Sequence, residues 1–103
     1  MKIVSWNARG LTKEKWFGLL KGIGGRVDVV MIQETNCGRE RANEMEWVLK
    51  KEWRVEWGLA VGKARGVMVA MRKERVEGWE KLRADERIVG VRVKEKGGKV
   101  RQW

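Results

Sequence analysis

Lys2-Ile3-Val4-Ser5-Trp6-Asn7 and Asp28-Val29-Val30-Met31-Ile32-Gln33-Glu34 decide how this chain is read. Each is a short apolar run of strand length, and each reads as a buried strand. The first stops on an amide, Asn7, and the second on a carboxylate, Glu34. Between them Thr12 is a good helix N-cap, with Glu14 in the first turn. Trp16, Leu19, Leu20 and Ile23 then recur at helical spacing until Gly22, Gly24 and Gly25 end the run. Strand, helix, strand is a βαβ unit, which favours a right-handed crossover and a parallel pair. Parallel neighbours set Asn7 and Glu34 side by side at the carboxyl edge of the sheet, where open α/β sheets place their chemistry. An amide beside a carboxylate is the beginning of a site for a hard divalent cation next to a phosphate.

Downstream, residues 39–51 read as a second helix with Ala42, Met45, Val48 and Leu49 on its inner stripe. Glu46 and Lys50 make a favourable pair one helical turn apart. Trp53, Val55 and Trp57 alternate with Arg54 and Glu56, so residues 52–60 predict a half-buried strand. The loop Gly62-Lys63-Ala64-Arg65-Gly66 leads into the apolar strand Val67 to Met71. Residues 74–86 read as polar and irregular, with one helical turn near Trp79. A strand over about 87–96, a Gly97-Gly98 hairpin turn and a return strand over 99–103 complete the chain. That last strand would leave an unpaired ladder, a route to self-association through an exposed sheet edge.

The length, 103 residues, allows one small domain of marginal stability. Lys and Arg number 24 against 14 Asp and Glu, a formal charge of +10 spread through every segment. Such a surface suits a polyanion such as DNA or RNA, although solubility alone is the simpler reading. The single cysteine, Cys37, allows no internal disulfide and fits an intracellular setting, nucleus or cytoplasm, without secretion. No apolar run is long enough for a membrane span. Histidine is absent, which removes the commonest general base and any Ser-His or Cys-His nucleophile pair.

With these residues in place, the chain resembles the endonuclease/exonuclease/phosphatase superfamily. Lys2 to Leu11 resembles its opening motif, Asp28 to Thr35 its second, and Gly66 to Met71 the apolar strand that follows. Asp85-Glu86-Arg87-Ile88-Val89-Gly90-Val91 resembles the strand entered through an Asp…Gly-Arg turn, with Glu86 in place of the glycine. The ending Arg9-Gly10-Leu11 is most similar to the endonuclease domains of non-LTR (LINE-type) retrotransposons; abasic-site repair nucleases tend to carry an acidic residue where Arg9 stands. The resemblance covers the whole chain but only the first half of the family domain. It implies an α/β fold, the N-terminal half of a two-sheet sandwich with a mixed sheet and two main helices. It also implies Mg²⁺-dependent phosphodiester cleavage, with Mn²⁺ as a substitute. Glu34 would be a metal ligand, and Asn7 would orient the phosphate or a metal-bound water. The family's tyrosine strand, Asp-x-Asn pair and terminal Ser-Asp-His have no counterpart here, so residues 1–103 are expected to form a single partial domain, inactive alone.

Each residue also has a plainer reading. Glu34 at a strand end is usually a solvated charge, and Asn7 a turn former. Arg9 and Arg65 are candidate contacts for a nucleic-acid backbone, although a solvated loop charge is the better reading of Arg65. Cys37 reads as a bystander thiol, Thr35 and Asn36 as caps of the second helix. Trp16, Trp47, Trp53 and Trp57 fall on or near apolar stripes and read as core. The rival functions are a basic nucleic-acid-binding module without catalysis and a degenerate open reading frame. Within the family a phosphatase of small substrates is the other branch, but the charge and Arg9-Gly10-Leu11 favour nucleic acid.

Overall fold

The computed structural model describes residues 1–62 and 64–103; Lys63, in the loop expected before Gly66, lies outside the described residues. Strand β1 (Ile3–Asn7), helix α1 (Lys13–Ile23) and strand β2 (Val29–Gln33) form the expected βαβ unit. Helix α2 (Arg39–Leu49) and strands β3 (Trp53–Gly58) and β4 (Val67–Arg72) complete the first layer. β1 and β2 are parallel, β4 runs antiparallel to both β2 and β3, and the strand order is β1-β2-β4-β3. A second, antiparallel sheet holds β5 (Val76–Ala84), β6 (Val89–Glu95) and β7 (Val100–Gln102). The result is a mixed α/β architecture of two helices, a mixed four-stranded sheet and a separate three-stranded sheet.

The first sheet has two buried faces, which is why its central strands lack polar alternation. Val30, Ile32, Met68 and Ala70 face the helices and pack with Leu11, Trp16, Ala42, Met45, Leu49 and Trp53. Trp16 and Trp53 meet edge to face, ring centroids 5.2 Å apart, and the Arg72 guanidinium lies 4.2 Å from the Trp53 ring centre. Val29, Val69 and Met71 face the other way, onto Val91 and Val93 of the second sheet. At the amino edge an ionic cluster links the layers. Arg75 lies 3.7 Å from Asp28 and 3.9 Å from Glu95, and Arg101 donates to Glu95 at 2.6 Å. Burial pushes the Asp28 carboxyl up, but the Lys2 amide and the Arg75 and Arg26 guanidiniums outweigh it and hold its pKa below the ordinary value.

Helix α1 begins as expected, with Thr12 Oγ1 accepting from the Lys15 amide at 3.1 Å. Helix α2 does not. Its N-cap is Gly38, with no side-chain cap bond, so Thr35 and Asn36 are not its caps. The irregular segment expected over 74–86 is a 3₁₀ turn (Lys73–Arg75) followed by the nine-residue strand β5. Register shifts at Val76/Gly78 and Lys81/Arg83 break its alternation and hide the strand from a period-two reading. Trp47 is 73% exposed and is not core. Two positions from Met45 and from Leu49, it turns outward, with the Lys50 ammonium 3.8 Å over its ring. No helix among the described residues is long and apolar enough to cross a membrane.

Candidate active site at the carboxyl edge of the mixed sheet

The parallel register pairs Asn7 with Gln33, and β2 stops there. Glu34 lies one residue past the ladder, in a left-handed backbone conformation (φ 51°). Its carboxylate accepts a hydrogen bond from the Asn7 amide, Nδ2 to Oε2. The other end of that amide, Oδ1, accepts from the Arg9 backbone N–H at 3.2 Å. Asn7 is thereby fixed at both ends, while one Nδ2 hydrogen keeps a free direction. Both Asn7 and Glu34 are exposed.

Three loops extend the sheet beyond its strands. The Ala8 amide donates to Gln33, Gly10 to Glu34 and Leu11 to Thr35, all at 2.8–2.9 Å. On the other flank the Thr35 amide donates to Gly66 at 3.0 Å and the Asn36 amide to Arg65 at 2.7 Å. Thr35 sits between the two flanks, fully buried, and its Oγ1 accepts from the Cys37 amide at 3.2 Å. Gly66 (φ 90°) has no space for a side chain, because a Cβ there would overlap Thr35 Oγ1. The main chain locks Thr35, and Thr35 in turn sets the residue before it, Glu34.

Among the described residues, four non-glycine residues have positive φ: Arg9, Glu34, Asn36 and Arg65. All four lie in these loops. Left-handed backbone costs an L-residue about 1–2 kcal/mol, and such strain concentrates at functional sites.

Arg9 stands beside the Asn7–Glu34 pair through its backbone bond to Asn7. Arg65 shares the edge through its carbonyl, but its side chain is drawn towards Glu86, 3.8 Å away. The turn from the second sheet closes this flank. Glu86 accepts from the Gly66 amide at 2.9 Å, and Asp85 Oδ1 accepts from the Arg87 and Ile88 amides at 2.8 and 2.9 Å. Those amides, Arg87 foremost, lower the Asp85 pKa, with the Arg83 guanidinium adding to them. Glu86 is not among the residues with positive φ, so its turn does not require the family glycine. Below the edge a cleft of about 230 Å³ opens between the sheets, lined by Gln33, Val67, Arg87, Ile88 and Trp103 among others. Cys37 is buried, and burial raises its thiol pKa, which leaves it inert.

Lys15 belongs to this edge although its residue type and spacing give no sign of it. Its ammonium donates to the carbonyls of Ala8 (3.0 Å) and Arg9 (3.2 Å), from the first turn of α1. Its partners are six and seven residues back, and nothing in the helical periodicity marks the contact.

Among the described residues no three His, Cys, Asp or Glu side chains gather to hold a metal. Mg²⁺ is commonly held by one or two carboxylates, with waters and substrate phosphates completing an octahedron. Glu34 with Asn7 beside it fits part of such a site.

The fold defines an architecture before any single relative does: a mixed four-stranded sheet with two helices, layered on a three-stranded antiparallel sheet. No family model matches the chain, and no curated protein matches its sequence. Solved structures match it. The chain is similar to the 3'-5' exonuclease NExo from Neisseria meningitidis, with a TM-score of 0.63 and 18% identity over 94% of this chain. It is also similar to the 3' phosphatase NExo from Neisseria bound to product DNA hairpin, with a TM-score of 0.56 and 19% identity over 94% of this chain. The chain spans 38% of the length of each of these neighbours.

Proposed function

We propose that this chain is the N-terminal portion of a Mg²⁺-dependent DNA endonuclease domain of the retrotransposon type, a partial domain inactive by itself. The observation that carries the reading is the Asn7–Glu34 hydrogen bond, set in left-handed loops at the carboxyl edge of a parallel strand pair. A fold shared with a 3'-5' exonuclease and with a 3' phosphatase bound to product DNA hairpin supports it.

In this reading the Glu34 carboxylate holds the metal, with Mn²⁺ as a substitute, and the free Asn7 N–H orients a phosphate oxygen. The metal supplies charge neutralisation at the phosphoryl group when bound. Arg9 attracts the DNA backbone, and Arg65, held by Glu86, contributes less. No histidine is available to handle the attacking water. Positioning and charge neutralisation are the main sources of rate in phosphoryl transfer, and this chain holds only part of either.

The test is binding of a short duplex DNA with and without Mn²⁺. We expect tighter binding with the metal, and loss of that gain in Glu34→Gln. A metal gain that is absent, or that survives Glu34→Gln, would overturn the site assignment. Supercoiled plasmid should stay intact with either metal. Metal-dependent nicking lost in both Asn7→Ala and Glu34→Ala would overturn the inactivity.

A second reading is a basic nucleic-acid-binding module without catalysis, favoured by the charge of +10. It predicts DNA binding indifferent to metal and to Glu34→Ala.

A further inference from the structure

The loop after β1 is held by cations. Lys15 clasps the carbonyls of Ala8 and Arg9 at 3.0 and 3.2 Å. Arg41 Nη2 donates to the Leu11 carbonyl at 2.9 Å, from the start of α2. The Arg9 side chain projects from the same loop and is exposed. Ten ion pairs are formed elsewhere among the described residues, and Arg9, Lys15 and Arg41 take part in none of them. Lys15 and Arg41 are thus anchored on residues 8–11, immediately after Asn7, the exposed Arg9 belongs to the same loop, and among the described residues none of the three has a carboxylate within 4.0 Å.

Carbonyl partners orient an ammonium without cancelling its charge. Lys15 has three N–H donors and spends two on Ala8 and Arg9, which orients the ammonium and leaves one donor unspent. A cation fixed before its ligand arrives loses little side-chain entropy on binding. A phosphate oxygen is the ligand that such an ammonium and a neighbouring guanidinium take together.

We propose that Lys15 and Arg9 form a phosphate subsite beside Asn7 that grips the DNA backbone without a metal ion. Arg41 holds the loop from the opposite side. The subsite rests on the reading of this edge as DNA-binding, but it does not need Glu34 or a metal. It anchors a phosphate adjoining the one presented to Asn7, and it makes the first contact with DNA electrostatic.

The experiment measures affinity for an oligothymidylate in EDTA as a function of salt. The proteins are the wild type, Lys15→Met, Arg9→Met, the double variant, Lys15→Arg and the control Lys21→Met, on the last turn of α1. Each phosphate contact to a single strand contributes about 0.7 to the slope of log K against log salt. Lys15→Met and Arg9→Met should each lower the slope by about 0.7, the double variant by about 1.4. Lys15→Arg should keep the wild-type slope, and Lys21→Met should leave it unchanged. Loss of a merely structural clamp would weaken binding with the slope intact. That result, or equal slopes for Lys15→Met and Lys21→Met, would overturn the proposal while leaving the Glu34 site standing. A wild-type chain that fails to bind in EDTA at low salt would also overturn it. Binding that appears only with Mn²⁺ would then leave the Glu34 site as the sole anchor.

Discussion

Gly66→Ala is the substitution that most directly probes how the edge loops are held. Gly66 has φ 90°, and a Cβ there would overlap Thr35 Oγ1 and lie 3.2 Å from both the Cβ and the backbone N of Ala60. Two costs add. Left-handed backbone costs alanine about 1–2 kcal/mol, and overpacking against a buried residue costs about 1–3 kcal/mol. The expected loss is therefore about 2–5 kcal/mol. Gly62→Ala separates the two costs, because Gly62 has φ 66° and nothing within 4 Å of its added Cβ. It should lose only the backbone part, about 1–2 kcal/mol. In a domain of this size each kcal/mol shifts Tm by about 4–8 °C. Gly66→Ala should accordingly melt at least about 4 °C below Gly62→Ala. Thermal unfolding followed by tryptophan fluorescence reads both, with seven tryptophans as reporters. Thr35→Ala in the Gly66→Ala background removes the overlapping oxygen, so the double-mutant cycle should show the two losses to be less than additive. Equal Tm values for the two glycine variants, or strictly additive losses in the cycle, would refute the close-packed contact on which the placement of Glu34 depends.

Other consequences follow from the same structure. Trp16→Ala removes one partner of the edge-to-face pair and a side chain only 1% exposed; it should cost about 3–5 kcal/mol in urea unfolding, where a loss below about 1 kcal/mol would contradict the packing. Trp47→Gln, on the outward face of α2, should change stability by no more than about 0.5 kcal/mol, and a core-sized loss would show that Trp47 is buried after all. Asp28 and Asp85 have lowered pKa values in the folded chain. Their stabilisation is fully present above the ordinary aspartate value of 3.8 and is lost as pH falls through the lowered folded values. Asp28→Asn should therefore destabilise the chain at pH 7, and its deficit against wild type should shrink below pH 4 in acid titrations of Tm; a deficit independent of pH would contradict the charge role of Asp28.

Much of the first layer was legible because its strands and α1 obey simple rules. β1 and β2 are apolar runs that stop on polar residues, and Thr12 caps α1 through its hydroxyl as its residue type suggests; β1, however, is not the buried strand expected, because it lies at the edge of the sheet and its residues are exposed or half-buried. The parallel pairing followed from the helix between them, and with it the meeting of Asn7 and Glu34. The register was one residue different. Glu34 reaches Asn7 from beyond the ladder through a left-handed turn, and carboxylate residues carry no signal for that conformation. β5 escaped because its exposed strand is charged, contains Gly78 and shifts register twice against β6. Trp47 faces solvent although its residue type suggests core, because helical phase, not residue type, sets its side of α2. Thr35 looked like a cap, yet its hydroxyl serves Cys37 inside the loop lock, a role set by Gly66 thirty-one residues later. Lys15 and Arg41 were illegible for a similar reason: their ligands are main-chain carbonyls, which every residue has.

The central claim is that Asn7 and Glu34 are the N-terminal portion of a metal–phosphate site. The most direct measurement is nuclear magnetic resonance of the chain during addition of substoichiometric Mn²⁺. Paramagnetic broadening should first remove the Asn7 side-chain amide and the backbone amides of Ala8, Arg9 and Thr35, and Glu34→Gln should abolish that selectivity. Broadening spread evenly over the carboxylates, or centred on Asp28 and Glu95 at the opposite edge, would contradict the account.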